Sequence, residues 1–269
     1  MKRNRRDHYI PRGYLQGFVD PTRRRVEKPL WYLDVPRGTW SEKSSREIGY
    51  RIGFYDYSGV EVEDAETIFI EFENKFPVLI RKLAPDKFAG WKEHLDFFLH
   101  YMQMMRARSL RFFEEQHERN KSLRGWIVEE VIDERTVKVR SLEAQPLPES
   151  FITNRALSEM CDEIRKGPAW LKEFNWALRY CESPLSPFVI SEQPVVVIGP
   201  HQQLIDSVKD ECSLLFFPLC WQACLIGSRQ FFDVETSGFG EHDMQLMRKM
   251  YMDSAKFVVS PTKLATEGV

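Results

Sequence analysis

The sequence has few cysteines and no long apolar run, and both absences narrow the class of protein. Only five of its 269 residues are cysteine, and no Cys-x-x-Cys pair occurs. An odd, unpatterned set of cysteines is typical of a reducing compartment rather than of a disulfide framework. No stretch approaches the roughly 20 apolar residues that cross a bilayer, and no apolar region of a signal peptide follows the basic start of the chain. We therefore expect a soluble cytoplasmic protein without a membrane partner.

An excess of charge of one sign is also lacking. Lysine and arginine number 38 against 40 aspartates and glutamates, which gives a formal net charge of −2. This balance excludes an overall attraction to nucleic acid or to an anionic membrane, so any basic footprint has to be local. A local basic segment is present in residues 1–25, where eight lysines and arginines outnumber the two acids, Asp7 and Asp20, for a local charge of +6. We call residues 1–25 the basic N-terminal segment.

The signatures of familiar enzyme classes are missing as well. The sequence contains no P-loop, no Gly-x-Gly-x-x-Gly, no Gly-x-Ser-x-Gly, no His-Glu-x-x-His and no zinc-finger spacing. Function therefore has to be sought in single residues of a type that chemistry can use.

The composition is that of a globular protein, with 43% hydrophobic and 29% charged residues. From Val62 to Leu83 apolar residues recur about every 3.6 positions, which predicts an amphipathic helix. A longer segment, residues 92–122, predicts one long helix whose first half is buried at the centre of the protein. Trp126–Val131 and Thr136–Arg140 flank an Asp-Glu turn and predict a hairpin.

Further strand-length apolar runs alternate with these helices, but regular β-α-β spacing is absent. This order predicts an α+β fold, in which mixed short strands form one or two small sheets around two to four helices. We expect residues 1–269 to form a single domain. A lobe boundary is expected near residues 145–150, where Pro146 and Pro148 interrupt the pattern.

The most distinctive string of the basic N-terminal segment is His8-Tyr-Ile-Pro-Arg12-Gly-Tyr14. Like charge from the surrounding arginines favours the neutral form of His8, which suits a general base or an acid that faces phosphate. Arg12 and Tyr14 are the accompanying candidates for contacts to phosphate or substrate. The alternative for His8 is an exposed side chain in a basic tail.

Two glutamates and two arginines on the predicted helices are further candidates. Glu66 and Glu73 lie seven residues apart, so they share one border of the apolar stripe. Carboxylates at such a border can act in acid–base catalysis or hold a divalent ion such as Mg²⁺, and the alternative is that they are solvated or pair with an arginine. Arg106 lies beside the apolar arc of the second helix and Arg111 lies on another face, and both are candidates for binding phosphate.

A polar turn, Ser-Glu192-Gln-Pro, precedes the apolar run Val195–Ile198. Side chains of turns at strand edges often reach a pocket, which makes Glu192 a candidate catalytic residue. The alternative is a plain turn closed by proline.

At these residues the chain resembles a bacterial family catalogued as a domain of unknown function, number 4238, and the resemblance runs almost from end to end. The family's opening motif, His-x-x-Pro-x-x-Tyr-Leu-x-x-Phe, is matched by His8, Pro11, Tyr14, Leu15 and Phe18. Its pair of helix glutamates resembles Glu66 and Glu73, and its arginine-bearing helix resembles residues 106–111. Its Ser-Asp-Asn-Pro-Val turn resembles residues 191–195, but here Asp-Asn is Glu-Gln, each one methylene longer, which changes the reach of a base or metal ligand. The resemblance implies one fold for the whole chain and names no reaction.

Three hypotheses of function follow. The first is a nucleic-acid-directed phosphodiesterase or nuclease of bacterial defence type, in which arginines hold phosphates, His8 is a general acid or base, and carboxylates hold Mg²⁺. It requires a shared site that contains His8, Glu66, Glu73, Arg106 and Glu192. The second is a non-enzymatic sensor or partner-binding module, whose basic N-terminal segment docks on an acidic protein surface. The third is a small-molecule enzyme built on the polar turn at residues 191–194.

Overall fold

The computed structural model describes residues 5–56, 65–125, 128–131, 137–139, 144–183, 186–198, 214–229, 245, 248–249, 251 and 255–264. Its α-helices are α1 (Arg12–Leu15), α2 (Ala65–Leu83), α3 (Leu95–Ala107), α4 (Leu110–Lys121) and α5 (Glu149–Arg165). Short 3-10 turns lie at Gln16–Phe18, Pro21–Arg23, Ala84–Asp86, Trp91–His94 and Ala169–Glu173. None of the helices in the described part of the chain combines the length and the apolar content needed to span a membrane.

The strands are short and pair in antiparallel fashion. They are β1 (Arg6–His8), β2 (Leu30–Asp34), β3 (Thr39–Lys43), β4 (Tyr50–Ile52), β5 (Arg124–Gly125), β6 (Val128–Val131), β7 (Val137–Val139), β8 (Gln145–Pro146), β9 (Asn175–Tyr180), β10 (Ile190–Ser191), β11 (Val196–Ile198), β12 (Leu214–Cys220), β13 (Ala223–Ser228) and β14 (Phe257–Ser260). Two four-stranded sheets have the orders β10-β14-β2-β3 and β11-β12-β13-β9, and three ribbons pair β1 with β4, β5 with β8 and β6 with β7. The predicted α+β fold is confirmed.

Two of the predicted elements are confirmed within the described residues. The amphipathic helix at Val62–Leu83 is α2, although its first three predicted residues lie outside the described ranges. The predicted hairpin is the antiparallel pair β6 and β7. Its predicted turn and outer ends, residues 126–127, 132–136 and 140, also lie outside those ranges.

The long helix predicted at residues 92–122 is instead divided into α3 and α4. Ser109 takes an extended conformation, with φ −65° and ψ 148°, and its side-chain oxygen accepts a hydrogen bond from the N–H of Phe112 at 3.2 Å. A serine cap of this kind begins a new helix. Apolar periodicity continues across the break, and it does not report the local bond that a serine offers to the backbone. The expected burial of the first half is confirmed, since eight of the 13 residues of α3 are buried.

The opening motif anchors the basic N-terminal segment in the core. Pro11 is the N-cap residue of α1. Tyr14, Leu15 and Phe18 have no exposed surface, and the ring of Tyr14 stacks on that of Phe217 with centroids 5.8 Å apart. The apolar residues of the motif therefore form the buried face of one helical turn, and its histidine alone remains partly exposed.

Packing also continues across residues 145–150, where the sequence predicts a lobe boundary. α5 begins at Glu149 and packs against both α3 and α4. The larger apolar cluster includes Tyr9 near the start of the chain, Met160 of α5 and Val259 of β14.

Candidate functional site

Arg108, the C-cap residue of α3, is the centre of a polar group that we call the Arg108 cluster, formed with His8, Tyr55 and Glu73. Only 2% of Arg108 is exposed. Its Nε donates to the Tyr55 hydroxyl at 3.1 Å, its Nη1 pairs with the Glu73 carboxylate, and its Nη2 donates to the main-chain carbonyl of His8. The guanidinium carbon lies 4.2 Å from the ring centroid of Phe69. The arginine thus ties β1, α2 and the loop after β4 to the end of α3.

The charge of Arg108 is compensated inside the cluster. Burial lowers the pKa of Arg108, but attraction to Tyr55 and Glu73 outweighs burial, so the pKa lies above its ordinary value. Burial raises the pKa of Tyr55 to about 12, so its hydroxyl keeps its proton at neutral pH. A buried cation needs such partners, because an isolated charge in the interior costs several kcal/mol. Glu73 therefore partners an arginine, as in the structural alternative that its sequence position left open.

The imidazole of His8, unlike its carbonyl, makes none of these hydrogen bonds. Its Nε2 atom is buried and has no hydrogen-bond partner among the described residues. Burial, followed by the positive charge of Arg12, lowers the pKa of His8. The backbone of Arg46 opposes this lowering through a hydrogen bond to the ring, but the pKa stays below its ordinary value. At neutral pH the ring is therefore neutral, and Nε2 can accept a proton.

Arg12 and Arg46, which both act on the His8 ring, also line a groove of about 1060 Å³. Arg24 and Arg81 line the same groove, and we call it the arginine groove after these four side chains. They come from α1, the segment after the second 3-10 turn, the β3–β4 loop and the end of α2. All four are exposed, and none has an ion-pair partner among the described residues. The fold therefore gathers four uncompensated cations from four separate elements.

The arginine groove is positively charged and partly apolar. Its described wall holds one acid, Glu27, against four arginines, a balance of +3. Val26, Pro77 and Trp221 contribute apolar surface to the same wall. A groove lined by one sign of charge focuses the electrostatic potential and attracts polyanions such as phosphate chains.

The predicted polar turn borders a smaller cavity of about 170 Å³, which we call the turn pocket. Arg106, Arg111 and Glu192 line it together, so three of the predicted site residues converge here. Arg111 donates from Nη1 to Oε1 of Gln193 at 3.3 Å. The turn pocket is thus formed where the start of α4 approaches the turn between β10 and β11.

Glu192 is engaged by the protein backbone. Its two carboxylate oxygens accept hydrogen bonds from the N–H groups of Lys256 at 2.8 Å and Phe257 at 3.3 Å. These amides lie at the start of β14, which pairs with β10 next to the turn. The carboxylate therefore fastens two strands of one sheet, and this arrangement matches the alternative of a structural turn.

The residues of the predicted shared site are divided between the Arg108 cluster and the turn pocket. His8 and Glu73 meet at Arg108, whereas Arg106 and Glu192 meet at the turn pocket. Among the described residues, no hydrogen bond or ion pair joins the first pair to the second. Arg12, predicted to bind phosphate, belongs to the arginine groove.

Tyr14, predicted to contact phosphate, lies in the core instead. Its side chain is fully buried, and its hydroxyl donates to the carbonyl of Pro218 at 2.5 Å. Burial raises the pKa of Tyr14 well above its ordinary value. A tyrosine can lie in the core when its hydroxyl has one hydrogen-bond partner. The basic sequence around Tyr14 does not show that such a partner is present.

A Mg²⁺ site at Glu66 and Glu73 stays a prediction. The side chain of Glu66 lies outside what the structure describes, and the carboxylate of Glu73 already faces the guanidinium of Arg108. A neighbouring guanidinium opposes a second cation by charge repulsion. In the described ranges, no group of three or more His, Cys, Asp or Glu side chains is placed to hold a metal ion.

Sequence patterns do not identify several residues of the Arg108 cluster and the arginine groove. Arg108 and Arg106 fall on different faces of a regular helix. The one feature of the sequence that points to Arg108 is its charge directly after the methionine-rich run at residues 102–105. Arg46 and Arg81 lie in elements that no motif connects. Only the tertiary fold brings them to one groove.

A family model described as "Protein of unknown function (DUF4238)" matches residues 6–258. The match covers nearly all of the 269 residues, and the chain belongs to this family. No curated protein matches the chain, and no solved structure matches it. The resemblance expected from the opening motif is confirmed. Because the family description names no activity, function has to be argued from the geometry.

Proposed function

We propose that this member of the DUF4238 family binds nucleic acid along the arginine groove and that His8 acts there as a general base in phosphodiester cleavage. The observation that carries the proposal is the convergence of four exposed arginines, without ion-pair partners among the described residues, on one groove beside His8. Arg119 and Arg155, which are also exposed, both contact Glu159 instead. What distinguishes the groove is that four arginines, unpaired within the described part of the chain, line one cavity.

Uncompensated arginines suit a phosphate ligand for two reasons. Like charges that converge repel one another, so a bound polyanion relieves an unfavourable interaction in the free protein. The planar guanidinium also offers N–H donors in a fork that matches the oxygens of phosphate. A nucleic-acid backbone repeats that group at regular spacing and can engage several arginines at once.

His8 supplies a proton acceptor beside this phosphate site. Its neutral ring can take the proton of an attacking hydroxyl, either of water or of ribose, while the bond from phosphorus to the leaving oxygen breaks. The resulting imidazolium then returns a proton to the leaving oxygen. Because Nε2 is buried in the free protein, catalysis requires the ring to turn toward the groove when phosphate binds.

Binding without catalysis is the second candidate, and the surroundings of two carboxylates favour it. Glu73 is paired with Arg108, and Glu192 is bound by two backbone amides. If these contacts are the whole role of both residues, the groove serves a module that binds an acidic partner and performs no chemistry.

A binding experiment tests the groove itself. We expect labelled single-stranded RNA, single-stranded DNA and duplex DNA to bind with an affinity that falls as salt rises. The double variant Arg24→Ala and Arg81→Ala should lower the magnitude of the salt slope by up to about 1.8, since each lost phosphate contact removes roughly 0.7 to 0.9. The control Arg119→Ala with Arg155→Ala removes the same charge outside the groove. Equal effects of the two double variants would contradict a localised site.

A cleavage experiment tests the chemistry. The same three substrates are incubated with purified protein in Mg²⁺ or EDTA, alongside His8→Ala and His8→Gln. We expect both variants to keep the circular dichroism spectrum and to lose cleavage. Cleavage that survives both substitutions would remove His8 from the mechanism. Absence of cleavage with retained groove-dependent binding would select the second candidate.

Three expectations from the sequence belong to the same proposal: a cytoplasmic location, a role in bacterial defence, and a single domain over residues 1–269. The apolar cluster that joins Tyr9 to Val259 supports the last of these.

A further inference from the structure

The arginine groove has apolar side chains between its cations, and they bear on the kind of nucleic acid that it takes. Val26, Pro29, Pro77, Pro85 and Trp221 all line it. Val26 is 44% exposed, and it is one of five large apolar side chains that are exposed among the described residues. Pro85 is exposed as well, and Pro29 and Pro77 are half-buried. A chain of phosphates alone would leave this apolar surface in water, whereas the face of a base can cover it.

Amide side chains add hydrogen-bond acceptors to the same wall. Gln16 is exposed, and its side chain makes no hydrogen bond to a described residue. Gln222 donates from Nε2 to the Tyr180 hydroxyl at 3.0 Å, and its carbonyl oxygen accepts no hydrogen bond from the described residues. Phosphate oxygens are acceptors, so they do not use a carbonyl oxygen of the wall. The edge of a base carries donors as well as acceptors and matches an amide.

The bases of a duplex would not reach these parts of the wall. They are paired inside the helix, and their edges are accessible only to an element that enters a groove of the duplex. The arginine groove is concave, so a duplex would meet it with its phosphates alone. In a single strand the bases are free to turn toward the protein while the phosphates lie on the arginines.

We propose that the ligand of the arginine groove is single-stranded nucleic acid, whose bases cover Val26 and the prolines of the wall while the arginines hold its phosphates. Trp221 is only 7% exposed, so the aliphatic residues rather than this ring offer the open apolar surface. The inference rests on the proposed function, because it names the form of nucleic acid that the same groove binds.

Three labelled probes separate the contribution of the bases from that of the backbone. The first is an oligothymidylate of about ten nucleotides, within the usual range of single-strand sites. The second is an abasic strand of equal length, which has the phosphates without the bases, and the third is a G·C-rich duplex of equal length. Fluorescence anisotropy in EDTA at one salt concentration gives the three affinities. We expect the oligothymidylate to bind about tenfold or more tightly than the abasic strand, and more tightly than the duplex.

Two valines form a matched pair that locates the base contact. Val78 of α2 is 56% exposed, like Val26, but it does not line the groove. Val26→Ser should weaken binding of the oligothymidylate about threefold or more through loss of apolar contact, and it should leave the affinity for the abasic strand unchanged. Val26→Leu keeps the apolar surface and should bind as the wild type does. Val78→Ser should change neither affinity.

The outcomes separate this inference from the proposed function. Equal affinities for the oligothymidylate and the abasic strand, duplex binding as tight as that of the single strand, or equal effects of Val26→Ser and Val78→Ser would overturn the single-strand assignment. In each of these cases the proposed groove still stands if Arg24→Ala with Arg81→Ala weakens binding of every probe that binds. Binding that survives this double variant, or no binding of any probe, would refute the proposed function and the inference with it.

Discussion

The Arg108 cluster and the arginine groove contain the same side chain in opposite settings. Arg108 is buried, and each of its nitrogens meets an acceptor from a different part of the chain. The four arginines of the groove are exposed and share a single acid in the described wall. In the Arg108 cluster the protein itself balances the charge of the arginine. In the arginine groove most of the positive charge is left for a bound anion to balance.

The comparison shows how burial separates structural from functional charge. A charge inside the protein has to be matched during folding, because leaving it unmatched costs several kcal/mol. A charge in a wet groove costs little when unmatched, so it can be kept for a ligand. His8 connects the two regions, since its carbonyl belongs to the Arg108 cluster and its ring lies under the influence of Arg12.

Removing Arg108 should have the largest effect on stability. We expect Arg108→Ala to lower the free energy of unfolding by about 3 kcal/mol or more, as for loss of one partner from a buried charged pair. Arg108→Lys should lose less, because the charge stays but the forked geometry is lost. Urea denaturation followed by circular dichroism gives both values. An unchanged midpoint for Arg108→Ala would show that the cluster does not hold the elements together.

The ring of His8 should give an intermediate effect that depends on pH. Its pKa in the folded protein is lowered from the ordinary value of 6.5, so the unfolded chain binds the proton more tightly. The contribution of the neutral ring to stability is complete above pH 6.5 and is lost as the pH falls through the lowered pKa. We expect an NMR titration of the ring to give a pKa below 6.5.

The matched variant for this titration is His8→Gln. The stability difference between the wild type and this variant should shift in favour of the variant as the pH falls below 6.5. A pKa at or above the ordinary value, with no pH dependence of that difference, would show that neither burial nor Arg12 governs the ring.

Substitution in the groove should have the smallest effect on stability. We expect Arg81→Ala to change the free energy of unfolding by less than about 0.5 kcal/mol, because the side chain is exposed and has no ion-pair partner among the described residues. Thermal denaturation at low salt measures this change. A loss comparable to that of Arg108→Ala would erase the distinction between the two settings.

Local patterns predict the elements better than the sites. The spacing of apolar residues is sufficient for α2, and strand-length runs around a polar turn are sufficient for the β6–β7 ribbon. The break between α3 and α4 depends on a single hydrogen bond of Ser109. Hydrophobic periodicity averages over such a bond and does not detect it.

The sites depend on contacts between distant parts of the chain. The bond from Arg108 to His8 joins residues 100 positions apart, and the bond from Arg111 to Gln193 joins residues 82 positions apart. Residue type indicates that Arg106, Arg111 and Glu192 are candidates, but it does not indicate which of them meet. Tyr14 is a residue of a type that can bind phosphate, but it is buried in the core and its hydroxyl is bonded there.

The position of β2 has a consequence for biosynthesis. This strand lies between β3, which follows it directly, and β14, whose Phe257 pairs with Asp34 from more than 200 residues later in the chain. While the polypeptide leaves the ribosome, one edge of β2 therefore stays open until β14 has been made. An open strand edge is a template for pairing with other chains. We therefore expect this edge of the nascent protein to be open to pairing with other chains while the intervening residues are translated.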